Sequence, residues 1–213
     1  MLHGLEIPID RNIVTDRILF SIMRGHYEST EAEAVQSLVR KGDRLLELGG
    51  GIGVISAVSA KILGDAAVVC IEANPKLLEY IQRVHTANSV HPKVINAIAV
   101  GTNKFKTASF YLRKNFWVSS LSPEPQDYVE KIEVEAISID RLVAEHRPSV
   151  VVVDIEGGEN DLIQSDWTNG VRLVIMEVHP KVIGDRSVSV LVEYFKTRGF
   201  SVKLERDILF ANK

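Results

Sequence analysis

Apolar residues recur along this chain in two rhythms, and the alternation between them is its main structural signal. Residues 45–48, 66–71, 94–100, 150–153 and 171–178 are short runs rich in Val, Ile and Leu, which predict strands buried on both faces. Between them lie stretches with helical spacing. Ala34, Val35, Leu38 and Val39 mark a helix over 30–40, with Ser29 or Thr30 as its cap; a shorter helix is expected over 15–23. Ile52, Ile55, Val58 and Ile62 mark a second over 52–63, and Leu77, Leu78, Ile81 and Val84 a third over 75–88, with Asn74 as N-cap and Pro75 in its first turn. Further helices are expected over 139–146, after Glu159, and over 187–198. Strict alternation over 107–113 and 132–137 predicts two antiparallel strands, and 200–204 with 208–211 predicts a closing hairpin. The order of elements predicts an α/β fold: a mostly parallel central sheet, helices on both faces and an antiparallel C-terminal hairpin.

At 213 residues the chain suits one domain, with 1–40 as a helical and irregular cap and 41–213 as the core. Residues 114–129 read as a long loop carrying Phe116, Trp117, Ser119, Ser120, Pro123, Pro125 and Tyr128. The net charge of −3 gives no general attraction to nucleic acid or to an anionic membrane, and Arg113-Lys114 reads as a solvated face. The single cysteine, Cys70, falls in a strand and reads as core. The chain begins without a signal-like segment and holds no span-length apolar run, so a cytoplasmic location is expected.

Chemistry concentrates where the predicted strands end. Glu47-x-Gly49-x-Gly51-x-Gly53 follows the first strand and opens a helix, an arrangement that presents backbone N–H groups to a nucleotide-like ligand. It is not the dinucleotide fingerprint, whose third glycine would fall at Val54 or Ser56. Glu72 ends the second strand and can accept from both hydroxyls of a ribose. Asp154, Glu156 and Glu159 follow the four-valine strand, and Glu177 with His179 follows the next. A carboxylate after a strand can also cap a helix, but four strand ends share one sheet edge, where α/β folds bind ligands.

The order of these motifs resembles the FkbM family of class I S-adenosylmethionine-dependent methyltransferases over about residues 27–180. The residues that carry it are Glu47 to Gly53, Glu72-Ala73-Asn74-Pro75, Val100-Gly101, Ser119-Ser120-Leu121, Ile139-Asp140, Asp154-Ile155-Glu156-Gly157-Gly158-Glu159 and Glu177-Val178-His179. Gly50-Gly51 replaces the family's usual Ala-Asn, and Val152 replaces a common lysine. The resemblance implies a Rossmann-like fold and S-adenosyl-L-methionine as cofactor. Glu47, Gly49, Gly51, Gly53, Glu72, Ala73 and Asn74 would bind it. It also implies methyl transfer to a hydroxyl of a small molecule or sugar, with Asp154, Glu156 and His179 as catalytic residues; no metal is assigned, and a divalent ion held by the carboxylates is the alternative. Three other readings remain at this point: a nicotinamide-dependent oxidoreductase, which the glycine spacing disfavours, a non-catalytic cofactor-binding protein, and a nucleic-acid methyltransferase, which the charge balance disfavours.

Overall fold

The structure, a computed structural model, describes residues 1–102, 104–124 and 127–213; Pro125 of the predicted loop lies outside the described residues. The chain runs α1 (Asp16–Met23), α2 (Ser29–Leu38), β1 (Leu45–Leu48), α3 (Val54–Leu63), β2 (Val68–Glu72), α4 (Leu78–Ala87), β3 (Lys93–Asn96), β4 (Ile98–Val100) and β5 (Thr107–Leu112). It continues β6 (Glu130–Ser138), α5 (Ile139–His146), β7 (Val150–Val153), α6 (Glu159–Leu162), β8 (Leu173–Glu177), α7 (Pro180–Ile183), α8 (Asp185–Thr197), β9 (Ser201–Glu205) and β10 (Ile208–Asn212).

Seven strands form the main sheet in the order β3-β2-β1-β7-β8-β10-β9. The first five are parallel, and β10 and β9 close the edge as an antiparallel hairpin. Successive residues of β7 divide between the two faces. Val151 and Val153 pack with α5, α8 and the buried Trp167, while Val150 and Val152 pack with α3, α4 and the N-terminal residues Leu2, Leu5 and Ile18. A residue run that must satisfy two apolar layers has no polar face, which is why 150–153 is all valine.

Three expectations are corrected. The strand predicted over 94–100 is two strands in two sheets. The Asn96 side chain donates to the carbonyls of Glu72 and Ala73 (2.8 and 3.1 Å), and the Ala97 N–H donates to that of Glu72 (3.2 Å). These bonds close the pairing with β2, and the chain leaves to form a small sheet, β4-β6-β5. Second, neither Ser29 nor Thr30 caps α2. Glu28 stands at the N-cap in left-handed conformation (φ 48°) with no side-chain capping bond. Third, the segment 114–129 is not structureless: Phe116–Val118 is a 3-10 turn, and Ser120 bridges Tyr111. Among the described residues no helix is long and apolar enough to cross a membrane.

The edge of the sheet where β1, β7 and β8 begin is tied by Asp43. Its carboxylate accepts from Ser149 Oγ (2.7 Å), the Arg40 N–H (2.6 Å), Arg172 Nε (3.0 Å) and Arg172 Nη2. Burial opposes its ionisation, but Arg172, Ser149 and the Arg40 backbone outweigh it and hold the group at about 2. A depressed carboxyl stabilises the fold above its ordinary value of 3.8 and loses that contribution as the pH falls through about 2. Asp43→Ala should therefore lower unfolding stability at neutral pH by about 2–4 kcal/mol in urea titration, leaving Arg172 largely unpaired.

Candidate functional site

Asp154 continues directly from β7, and its N–H donates to the Leu48 carbonyl at the end of β1 (2.8 Å). The two strands part here, because the chain proceeds from β1 towards one edge of the sheet and from β7 towards the other. This is the switch point at which open α/β sheets form their ligand crevice. The crevice is tight. A Cβ on Gly49 would stand 1.7 Å from the Asp154 carbonyl oxygen, so only glycine fits.

A cavity opens from this point. Gly49, Gly51, Glu72, Ala73, Asp154 and Glu156 line it, together with Tyr27 and Glu28 from the α1–α2 turn. Ile71, Leu77, Ile98 and Phe110 supply an apolar wall, and Phe116, Trp117, Ser119 and Leu121 of the long loop cover it. Glu72 is fixed by the N–H groups of Gly51 (2.9 Å) and Asn74 (2.6 Å). Burial raises its carboxyl to about 7 against those bonds.

Three of the predicted cofactor residues lie off this wall. Glu47 is opposite Cys70 in the β1–β2 register, and its buried carboxyl faces Cys70 and Ser56 beneath the loop. Burial lifts it to about 8. Gly53 starts α3 in left-handed conformation and packs against Ile81 and His85 of α4. Asn74 accepts from the Lys76 N–H (3.0 Å), which is the capping role expected of it.

The predicted catalytic residues do come together. Glu159, fully buried at the start of α6, accepts from the Gly157 N–H (3.2 Å) and lies 2.5 Å from His179 Nδ1. A carboxylate can only accept, so Nδ1 carries the proton and Nε2 turns to the other side. There it meets Glu156 Oε2 (3.4 Å), Asp154 Oδ1 (3.7 Å) and Glu177 Oε1 (3.9 Å). The backbone is not extended through this segment. Glu156 is left-handed (φ 47°), and that turn brings its carboxylate beside that of Asp154.

One imidazole among four carboxyl groups determines the electrostatics. Burial alone would lower His179; the bond to Glu159 and the charges of Glu156, Glu159 and Asp154 overcome it and hold the ring at about 9. Burial raises Glu156 to about 7, with His179 opposing and Glu177 and Glu159 assisting. Asp154 and Glu177 are raised for the same first reason. Ligand atoms of Asp154, Glu156 and His179 lie within 4.8 Å of one another, a spacing that would also admit a divalent ion.

Glu156 joins the cavity to a second cleft lined by Arg113, Ser120, Glu177, His179 and Lys181. Arg113 is no solvated charge. It is 6% exposed, and its guanidinium donates to the carbonyls of Val118 (3.0 Å) and Ser122 (2.8 Å) and to Ser120 Oγ (3.0 Å). The Ser120 carbonyl is taken by the Tyr111 N–H of β5 (2.9 Å), and the guanidinium fork supplies donors for those of Val118 and Ser122.

The Methyltransferase FkbM domain profile matches residues 47–202. The chain belongs to the FkbM methyltransferase family. Its fold agrees. A precorrin-6y C5,15-methyltransferase from Geobacter metallireducens GS-15 superposes with a TM-score of 0.51 at 9% identity, over 96% of this chain and 90% of that one. A methyltransferase from Pyrococcus furiosus does so at 0.50 and 15% identity, over 99% and 89%. No curated protein matches the sequence. This FkbM-family protein is an S-adenosylmethionine-dependent methyltransferase, and the oxidoreductase reading falls with that membership.

Sequence reasoning missed Tyr27, Glu28 and Arg113 as site residues. Tyr27 and Glu28 sit in a turn between two helices, where no periodicity marks them, and reach the cavity only through the packing of residues 1–40 on the sheet.

The buried groups make stability pH-dependent. Glu156 moves from an ordinary 4.5 to about 7, Glu47 from 4.5 to about 8, and His179 from 6.5 to about 9. Each binds its proton more tightly in the fold, so its contribution is complete below the ordinary value and lost as the pH rises through the folded one. Thermal melting of the ligand-free protein should give a lower midpoint at about pH 9 than at about pH 6. An unchanged or higher midpoint at the alkaline end would contradict these shifts.

Proposed function

We propose that this methyltransferase acts on a hydroxyl group of a small molecule or sugar, with the acceptor in the cleft beside His179. The observation that carries the reading is the position of Glu156, which borders both the cavity and that cleft and stands with Asp154 beside His179.

The cavity's residues suit S-adenosyl-L-methionine. Glu72 would take the ribose hydroxyls, Ala73 and the glycine loop would lie along the nucleoside, and Leu77, Ile98 and Phe110 would flank an adenine plane. Buried carboxylates near Gly49 favour a cationic ligand there. The cofactor supplies an electrophilic methyl group on a positively charged sulfur. The chain's task is to orient the acceptor oxygen in line with that methyl and to receive its proton.

Asp154 and Glu156 are the bases in this reading. A raised carboxyl near 7 is matched to accepting an alcohol proton at neutral pH. His179, held protonated, is the counter-charge that keeps two neighbouring carboxylates ionised together, and Glu159 fixes its orientation. Ser119 and Ser120 bring hydroxyls to the two compartments, and the loop that carries them would exclude water.

Calorimetry should show S-adenosylhomocysteine bound at micromolar level and NAD much more weakly; the reverse order would end the cofactor assignment. Asp154→Asn and Glu156→Gln should each lower turnover roughly 100-fold or more while S-adenosylhomocysteine still binds. The pH–rate profile should be bell-shaped, rising through about 7 as the carboxyl ionises and falling through about 9 as His179 loses its proton. EDTA should have little effect. Strong inhibition relieved by magnesium or manganese would mean instead that the three side chains hold an ion. Arg113→Ala should release the loop and cut turnover about tenfold or more, with a smaller loss of S-adenosylhomocysteine affinity.

A further inference from the structure

Four carboxyl groups border the cavity: Glu28, Glu72, Asp154 and Glu156. Glu72 accepts from the Gly51 and Asn74 N–H groups, and Asp154 and Glu156 face the His179 ring, although Asp154 Oδ1 makes no hydrogen bond. Glu28 differs in its charged neighbours. Its Oε2 is buried and has no hydrogen-bond partner. Its Oε1 leans over the glycine loop, 3.2 Å from where a Cβ on Gly51 would stand. The charged groups that act on it most, Glu47, Glu31 and Asp154, are all acidic. A buried carboxylate with an open acceptor and only negative neighbours is a place made for a cation.

The backbone points the same way. Glu28 is in the left-handed region (φ 48°) although it is not glycine, and it stands at the N-cap of α2 without capping it. A Ser or Asp there would satisfy the helix end; the glutamate is instead turned inward. Strain of this kind persists at positions where surrounding structure imposes it for function. The neighbouring residue supports the geometry. His3 Nε2 holds the Tyr27 carbonyl (2.7 Å); burial and the acidic neighbours push the Glu28 carboxyl well above the usual carboxylate range, and the hydrogen bond from the Tyr27 hydroxyl opposes that. A Cβ on Gly50 would stand 3.6 Å from Glu72 Oε2, while Gly51 borders Glu28. The two carboxylates thus flank consecutive residues of the loop.

We propose that Glu28 recognises the cationic α-amino group at the amino-acid end of S-adenosylmethionine, with the Tyr27 hydroxyl orienting its carboxylate. The proposal rests on the cofactor reading given above. An ammonium brings three donors and a full charge, which complete the open oxygen of Glu28 with a charge-assisted bond. Glu72 then takes the ribose, and the ligand is held at both ends across the glycine loop. The first 40 residues are in this way part of the cofactor site.

The test compares two ligands by calorimetry on the full chain. S-adenosylhomocysteine carries the amino-acid end, whereas 5′-methylthioadenosine has the same nucleoside and sulfur without it. The wild type should bind the first more tightly. Glu28→Gln, close in size and shape, should weaken S-adenosylhomocysteine about 10–100-fold and leave 5′-methylthioadenosine within about twofold. Tyr27→Phe should weaken S-adenosylhomocysteine by a smaller factor, again selectively. Equal affinity of Glu28→Gln and wild type for S-adenosylhomocysteine would overturn the assignment while leaving the cofactor reading intact. An equal loss for both ligands would make Glu28 a structural residue and overturn it as well. A wild type that binds neither ligand would remove the cofactor reading and this proposal together.

Discussion

The contact between Gly49 and the Asp154 carbonyl sets the geometry of this protein. Two parallel strands end side by side, and their continuing chains must separate within a residue or two. One becomes the glycine loop and the other becomes the carboxylate segment. Because no side chain fits between them, the loop and the carboxylates cannot drift apart without breaking the hydrogen bond from Asp154 to Leu48. The cavity and the cleft beside His179 are therefore registered to each other by backbone, which is stiffer than any side-chain contact.

The acidic segment solves a problem of its own making. Asp154, Glu156 and Glu159 would repel one another if left alone behind a strand of valines. His179, delivered from the end of β8, enters the group and donates one hydrogen bond to its deepest member, Glu159. Residues 154–159 and His179 all lie within the stretch, 47–202, over which the chain matches its family. Gly101 ties in from the second sheet, its N–H donating to Asp161 Oδ2 (2.6 Å) in α6. The Val-Gly motif after the third predicted strand is thereby explained by packing on that helix.

Most of the fold was legible because its central strands, β1, β2 and β7, are buried on both faces and most of its helices are not. A valine run can only be a central strand, and Pro75 after Asn74 can only open a helix. The split at Ala97 was not legible, since 94–100 stays apolar through the change of sheet. Of the candidate residues, Glu72, Asp154, Glu156 and His179 line the cavity or the cleft next to it. Glu47, Gly53 and Asn74 belong to the same motifs but shape the loop and its flanking helices. A motif does not distinguish residues that touch a ligand from residues that build the place where it sits. The departure at Gly50 has a local cause: a Cβ there would come within 2.4 Å of Cys70 Sγ, so the thiol on β2 and the extra glycine require each other.

The break between β3 and β4 divides the labour of the molecule. The main sheet carries the glycine loop, Glu72 and the carboxylates, while β4, β5 and β6 hydrogen-bond among themselves and carry the loop that roofs the site. The junction is a single residue, Ala97, held by one backbone bond and the Asn96 amide. Such a joint lets the roofing module be lengthened, recut or exchanged while the hydrogen-bond ladder beneath it keeps its register. The fold thus separates the strand ends that carry Glu72, Asp154 and Glu156 from the module that carries the loop over them.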